Sequence, residues 1–113
     1  MIDKRRLLRK RPDVPLRVTD AMTGRVIGQI GNLSLDGLML LSDVEIVADA
    51  LYQFAFDLPD EYGRPRPVEV GVHESWTDAT QTPGRWWAGF RFIDIGEADE
   101  RILRSWLGHP TGD

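Results

Sequence analysis

Apolar and polar residues alternate with a period of two along most of this chain, and this alternation limits the folds it can adopt more than any other feature. It is clearest in "LYQFAFDLP" (51–59), where every second residue is apolar. Successive side chains of a strand point to opposite faces, whereas an amphipathic helix repeats every 3.6 residues. The alternation therefore predicts strands with one buried face, and a chain that is mainly β.

Stretches rich in Gly, Pro, Asp and Thr divide the alternating pattern into about six strands. These turn segments are 20–24, 34–37, 60–67 and 77–84. Strands are expected at 14–19, 25–33, 38–41, 51–59, 68–76 and 85–95. The segment 42–50 is expected to form a loop or a short helical turn. The alternation becomes ambiguous at His73 and Glu74, which predicts a β-bulge before Trp76.

The period changes to that of a helix only after residue 95. Apolar residues at helical spacing form one stripe: Ala98, Ile102, Leu103, Trp106 and Leu107. Acidic residues occupy the first turn, where the helix dipole favours negative charge, and Gly108 and Pro110 end the helix. Six short antiparallel strands most economically close into a barrel, because closure removes exposed edges. The predicted fold is a six-stranded antiparallel β-barrel with a C-terminal helix, whose apolar stripe covers one opening.

The start of the chain is strongly basic although the whole chain is acidic. Residues 1–11 carry six basic groups and one acid, a net +5, and the remaining residues carry eight arginines and seventeen acids, a net −9. Because like charges repel and this stretch offers little apolar surface, residues 1–13 are expected to form a mobile arm. Residues 14–109 are expected to form one domain, the barrel with its helix. The acidic barrel argues against long nucleic acid as a partner, so a module for RNA or single-stranded DNA is a weaker alternative.

Several classes of function find no support in the composition. The chain has no cysteine, which removes disulfides and thiolate chemistry, and its two histidines are not at metal-ligand spacing. No Walker-type loop or G-x-G-x-x-G is present, so neither an enzyme nor a metal cofactor is expected. No signal-peptide pattern and no apolar run of about 20 residues occurs. We therefore expect a cytoplasmic protein without membrane insertion.

Two short motifs carry side chains suited to a compact anion. The arm contains R-x-x-x-R at Arg5 and Arg9, and guanidinium groups bind phosphates, or the O6 and N7 edge of guanine, with paired hydrogen bonds. About twenty residues later comes N-x-S-x-x-G, formed by Asn32, Ser34 and Gly37. It offers an amide, a hydroxyl and a position that a ligand can approach closely. The same residues also suit a polar turn in which the glycine supplies a positive φ.

Together and in this order, the two motifs resemble those of the PilZ domain family. "RWWAGFRFIDI" (85–95) is similar to the last strand of that family, with its Gly-x-x-Phe element at Gly89 and Phe92. The resemblance runs over most of the chain. It implies a six-stranded antiparallel barrel of the split-barrel type that binds cyclic di-GMP (c-di-GMP), a bacterial second messenger, and it implies no other cofactor.

The resemblance assigns roles to the arginines of the arm. Arg5 and Arg9 would bind phosphate and the Hoogsteen edge of guanine, and Arg6 would be a further phosphate or stacking contact. Since Lys10 extends the cluster, Arg6 with Lys10 is an inferior alternative register of the motif. The basic Lys4 before the motif is compatible with a stacked ligand dimer.

The resemblance also assigns roles on the barrel. Asn32 would bond a guanine, Ser34 would bond guanine or phosphate, and Gly37 would permit close approach. Trp76 resembles an aromatic residue that lies beside the ligand in some members, and a core or rim tryptophan is the alternative.

The expected function is that of a bacterial c-di-GMP receptor. Ligand would order the arginine arm onto the barrel and alter the interaction with an unidentified downstream protein that controls motility, a pilus, exopolysaccharide or biofilm. The alternative is an adaptor with the same fold that binds proteins through its aromatic surface and binds nucleotide weakly or not at all.

Overall fold

A sheet that closes on itself dominates the computed structural model, which describes residues 9–108. Its elements are β1 (Arg17–Asp20), β2 (Arg25–Leu33), β3 (Gly37–Ser42), β4 (Leu51–Pro59), β5 (Pro65–Ala79), β6 (Trp86–Ile95) and α1 (Glu97–Leu107). The strand order is β1-β2-β3-β6-β5-β4, and β4 pairs with β1 to close the barrel. Every pairing is antiparallel. The predicted six-stranded antiparallel barrel with a C-terminal helix is confirmed.

The barrel interior is built from the apolar half of each alternating strand. The fully buried side chains include Val18, Leu38, Leu40, Phe54, Leu58, Val68, Val70 and Val72. Two rings from different strands meet edge to face at the centre, where the Phe54 and Phe90 centroids are 4.8 Å apart. Such pairs stabilise a core beyond the area they bury. The outward half of each strand is left to form surface.

Two strands differ in extent from the sequence expectation. β5 begins at Pro65 and continues to Ala79, so parts of the predicted turns at 60–67 and 77–84 belong to the sheet. It contains irregularities at Gly71/Val72 and at Glu74/Trp76, and the second confirms the predicted bulge. β1 begins at Arg17, later than predicted, and Val14 is exposed. Pro15 has no N–H to donate to a ladder, which limits the strand at that end.

The segment between β3 and β4 is a loop without a helical turn. It sends Ile46 into the core, and the hydroxyl of the buried Ser42 donates to the carbonyl of Val44 at 2.5 Å. The end of this loop contacts β5, where the Glu74 N–H donates to the Ala50 carbonyl at 3.0 Å.

Helix α1 packs against β4 and β5 and covers one end of the barrel. Leu103 is fully buried there, and Ile102, Trp106 and Leu107 are partly buried around it. Ala98 is exposed, so its predicted place in the buried stripe is wrong. The helix ends as predicted at Gly108, which adopts a left-handed conformation with φ 82°. No helix within residues 9–108 is long and apolar enough to cross a membrane.

Candidate functional site

The end of the arginine motif is fastened to the barrel beside the second motif. Lys10 pairs with Leu33 through two backbone hydrogen bonds, of 2.9 and 3.0 Å. This pairing places Arg9 next to Asn32, and the Nη1 of Arg9 donates to the Asn32 Oδ1 at 2.8 Å. Both side chains are accessible to solvent. The structure thus brings together one residue from each predicted motif.

The neighbouring Lys10 side chain contacts helix α1 instead. Its Nζ donates to the backbone carbonyl of Trp106 at 2.6 Å and lies 4.4 Å from the centroid of that indole. Sequence analysis gave no sign of this contact, because the two residues are 96 positions apart. Adjacent residues of the N-terminal segment therefore contact the candidate site and the helix.

Ser34 organises the turn that follows β2. It is fully buried, its hydroxyl donates to the Asp36 Oδ1 at 2.6 Å, and its backbone N–H donates to the Gly37 carbonyl. The backbone N–H of Asp36 donates back to the Ser34 Oγ at 3.4 Å. These bonds are typical of a serine that stabilises a tight turn. In this arrangement the buried Ser34 stabilises the conformation of the loop through its hydrogen bonds.

Gly37 permits a close approach between two strands. It is the first residue of β3 and lies opposite Arg91 of β6, and a Cβ at this position would overlap the carbonyl oxygen of Phe90. Its φ is not positive, so the turn interpretation was wrong about why glycine stands here. The absence of a side chain lets the loop lie against β6.

Four residues from four adjacent strands form one row across the outer face of the barrel. The strand register joins Asn32 of β2 to Met39 of β3, Met39 to Gly89 of β6, and Gly89 to Trp76 of β5. We call these four residues the site row. With adjacent strands about 4.8 Å apart, the row spans about 14 Å. Asn32 also contacts Met39 directly, with 3.8 Å between its Nδ2 and the Met39 sulfur.

The indole of Trp76 lies over Gly89. A Cβ on Gly89 would overlap the indole nitrogen, so the absence of a side chain there lets the ring lie against β6. Trp76 keeps 42% of its surface exposed, and an exposed aromatic face can stack on a planar base. The predicted alternative of a rim tryptophan describes this position, and a contact with ligand there remains a prediction.

The structure thus collects Arg9, Asn32 and Trp76 on one open face, with Ser34 and Gly37 in the supporting turn. Arg5 and Arg6 lie outside the described residues. Met39, which sequence analysis did not single out, sits in the middle of the row; its outward position in the alternating "LMLL" was the available signal. Residues 9–108 contain no group of three His, Asp or Glu side chains that could hold a metal ion. The face offers hydrogen bonds, the cation of Arg9 and an aromatic plane, which suit binding of a planar, anionic ligand.

Comparison with known families identifies this arrangement. The sequence profile described as the PilZ domain matches residues 3–109, nearly the whole chain. The chain belongs to the PilZ domain family. The match includes the arginine motif, the N-x-S-x-x-G turn and the last strand, so the resemblance predicted from these residues is confirmed. No curated protein matches the sequence significantly.

Two solved structures share the fold of this PilZ domain. The inhibitor of motility MotI/DgrA of Bacillus subtilis superposes with a TM-score of 0.70 at 12% identity, covering 88% of this chain. The present chain spans about half of that protein, 47% of its length. The PilZ domain of YcgR from Escherichia coli, solved with c-di-GMP, gives a TM-score of 0.64 at 14% identity, covering 89% of this chain and 86% of that one. At these identities the likeness establishes the fold.

Proposed function

We propose that this PilZ domain is a receptor for c-di-GMP. The observation that carries the proposal is the Arg9–Asn32 hydrogen bond, which joins the arginine motif to the N-x-S-x-x-G motif at the start of the site row. A YcgR domain of the same fold was solved with c-di-GMP, which supports the choice of ligand.

The proposed ligand lies along the site row. Arg9 uses one N–H for Asn32, and its other guanidinium N–H groups can bind phosphate or the Hoogsteen edge of guanine. The Asn32 amide bonds a guanine, and the second base stacks on Trp76. Gly37 keeps the turn close to β6, and Ser34 contributes through this turn, or directly once its bond to Asp36 is exchanged for one to the ligand.

The proposed signal is a change in the N-terminal segment. We retain the division into an arm, residues 1–13, and a barrel domain, residues 14–109. Ligand would extend the docking already seen at Arg9 and Lys10 to Arg5 and Arg6, and neutralise the positive charge of the arm. The charge-assisted bonds must offset the entropy lost on ordering. A downstream protein in the bacterial cytoplasm would respond to this change, and that protein would control motility, a pilus, exopolysaccharide or biofilm. The ligand itself would not be chemically altered.

Isothermal titration calorimetry with c-di-GMP tests the proposal. Wild-type protein is expected to bind saturably and to ignore GTP, whereas Arg9→Ala loses one charge-assisted contact and binds about ten- to hundred-fold more weakly. Arg25→Ala is the matched control, because Arg25 is an exposed arginine at the opposite end of the same strand as Asn32. Equal weakening by both variants would show that only general charge matters.

The stoichiometry of the same titration tests the stacked-dimer hypothesis. A single ligand per protein at saturation contradicts that hypothesis.

A protein-interaction adaptor is the second candidate. It is favoured by two exposed apolar residues, Val47 and Leu51, and by the shared fold with MotI, named an inhibitor of motility. Folded wild-type protein that shows no c-di-GMP binding in calorimetry or in a second assay, such as equilibrium dialysis, would decide for the adaptor.

A further inference from the structure

An arginine on the barrel wall stands beside the site row but belongs to neither motif. Arg91 follows Gly89 on β6 by two residues, a separation of about 7 Å along the strand. It lies directly opposite Gly37 and is exposed on the outer face. It therefore occupies the surface between the N-x-S-x-x-G turn and Trp76.

The immediate partner of Arg91 is a histidine. The Arg91 Nη2 donates to His73 Nδ1 at 3.5 Å, and the residues are paired between β5 and β6. Within the described part of the chain, no carboxylate lies at ion-pair distance from Arg91, whereas Arg85, Arg101 and Arg104 each pair with one. In a barrel with an excess of acids, this leaves the charge of Arg91 available to an anion.

His73 is itself held in place. Its Nε2 donates to the Asp49 Oδ1 at 2.5 Å, which leaves Nδ1 as the acceptor for Arg91. Asp49 adopts a left-handed conformation, with φ 62°, and its N–H donates to the Glu74 Oε1 at 2.8 Å. Glu74 is buried and also accepts the hydroxyl of Thr77 at 2.7 Å. A chain of bonds thus runs from a buried carboxylate to the guanidinium.

We propose that Arg91 contacts a phosphate of the nucleotide bound along the site row, and that His73 and Asp49 are positioning residues for it. The inference rests on the proposed function, since it assigns a further contact at the same face. The arginine motif supplies its cations from the arm, and the proposed function includes the entropic cost of ordering that arm. Arg91 supplies one from a rigid strand, at no such cost. Positioned charges on rigid elements bind more effectively than mobile ones.

The assignment to phosphate, rather than to a guanine edge, is tested by a lysine variant. His73 takes one Nη2 proton of Arg91, and the remaining guanidinium N–H groups can bind an anion. A phosphate is satisfied by a single point charge, which lysine also provides.

Calorimetry with c-di-GMP on five proteins tests the proposal: wild type, Arg9→Ala, Arg91→Gln, Arg91→Lys and Arg85→Gln. Arg91→Gln is expected to weaken binding about ten-fold or more, as loss of a charge-assisted bond does. Arg91→Lys should retain affinity to within about three-fold, because the point charge remains. Arg85→Gln is the matched control, since Arg85 borders the same strand and pairs with Asp43 at 3.1 Å away from the site row.

The outcomes separate this inference from the proposed function. Wild-type binding that is weakened in Arg9→Ala, with Arg91→Gln equal to Arg85→Gln, overturns the role of Arg91 and leaves the receptor intact. Wild-type protein that does not bind overturns both. A loss in Arg91→Lys as large as in Arg91→Gln overturns the phosphate assignment.

Two further variants test the positioning role of His73. His73→Ala removes the acceptor and is expected to weaken binding by a smaller factor than Arg91→Gln. His73→Asn offers an oxygen near the place of Nδ1 and should recover most of the affinity. Equal affinities of wild type, His73→Ala and His73→Asn would contradict the positioning role. Urea unfolding of each variant shows whether a loss of affinity reflects a loss of fold.

Discussion

Two segments flank the barrel and are attached to it in different ways. Helix α1 is held by apolar side chains, with Leu103 fully buried against the core. The N-terminal segment, residues 9–13, is held mainly by hydrogen bonds near solvent, from Lys10 to Leu33 and Trp106 and from Arg9 to Asn32. Apolar burial is non-directional and independent of an anion, whereas exposed hydrogen bonds exchange readily with a charged ligand. Helix α1 is therefore expected to stay attached to the barrel, whereas the contacts of the N-terminal segment are expected to be exchangeable.

The two segments also meet, because Lys10 binds the last turn of the helix at Trp106. Arg9 and Lys10 are adjacent in the chain but bond to different partners, Asn32 and the Trp106 carbonyl. The fluorescence of Trp106 is therefore expected to change when the N-terminal segment leaves the helix.

The largest expected effect comes from Leu103→Ala, which tests whether α1 is a permanent cover. Truncating a fully buried leucine should lower the free energy of unfolding by about 2–5 kcal/mol. Urea denaturation measures the change. Ala98→Ser, an exposed change on the same helix, is the control and should leave stability almost unaltered. A loss below about 1 kcal/mol for Leu103→Ala would mean that the helix is only loosely attached.

Gly37→Ala is expected to have the next largest effect and separates a packing role from a ligand role. The new Cβ would overlap the Phe90 carbonyl, so the β3–β6 pairing must shift, at a cost of about 1–3 kcal/mol without any ligand. Denaturant unfolding of the ligand-free protein gives the value. A variant as stable as wild type that nevertheless fails to bind c-di-GMP would assign Gly37 to the ligand alone.

Lys10→Met tests the contact between the two segments and should have a smaller effect. The methionine keeps an apolar stem but loses the hydrogen bond to the Trp106 carbonyl and the cation over the indole, worth about 0.5–1 kcal/mol at an exposed site. The fluorescence spectrum of the tryptophans should change with it. Arg11→Met, at an exposed neighbour, is the control. Identical spectra for wild type and Lys10→Met would show that the contact does not persist in solution.

The smallest effect concerns the turn between β4 and β5, near the helix. The Asp60 carboxylate accepts the backbone N–H groups of Arg64 and Tyr62, and these bonds lower its pKa below the ordinary value of 3.8. A lowered pKa in the folded protein stabilises it above pH 3.8, and this contribution disappears as pH falls through the folded pKa. Asp60→Asn should therefore be slightly less stable than wild type at pH 7, and the difference should shrink as the pH falls below 3.8. Parallel stability curves of the two proteins from pH 7 to 3 would contradict the lowered pKa.

Much of the architecture could be predicted because strand alternation is a local property. The alternating residues of β4 and β6, the bulge before Trp76 and the end of α1 at Gly108 follow from neighbours in the chain. Errors occurred where tertiary pairing overrides local composition. β5 recruits Pro65 and Ala79 from predicted turns because partner strands are present there.

For the candidate site, too, the sequence predicts the motifs, and the tertiary structure decides which side chains are neighbours. Residue type and spacing were enough to predict an arginine motif, an N-x-S-x-x-G turn and the family in which they occur together. Closure of the barrel decided that Asn32, Met39, Gly89 and Trp76 form one row, and that Arg91 with His73 borders it. These contacts join residues far apart in the chain, and their register depends on bulges and on which glycines allow close packing. Local patterning sets the elements, whereas the neighbours of each side chain depend on how the sheet closes, which is a property of the whole chain.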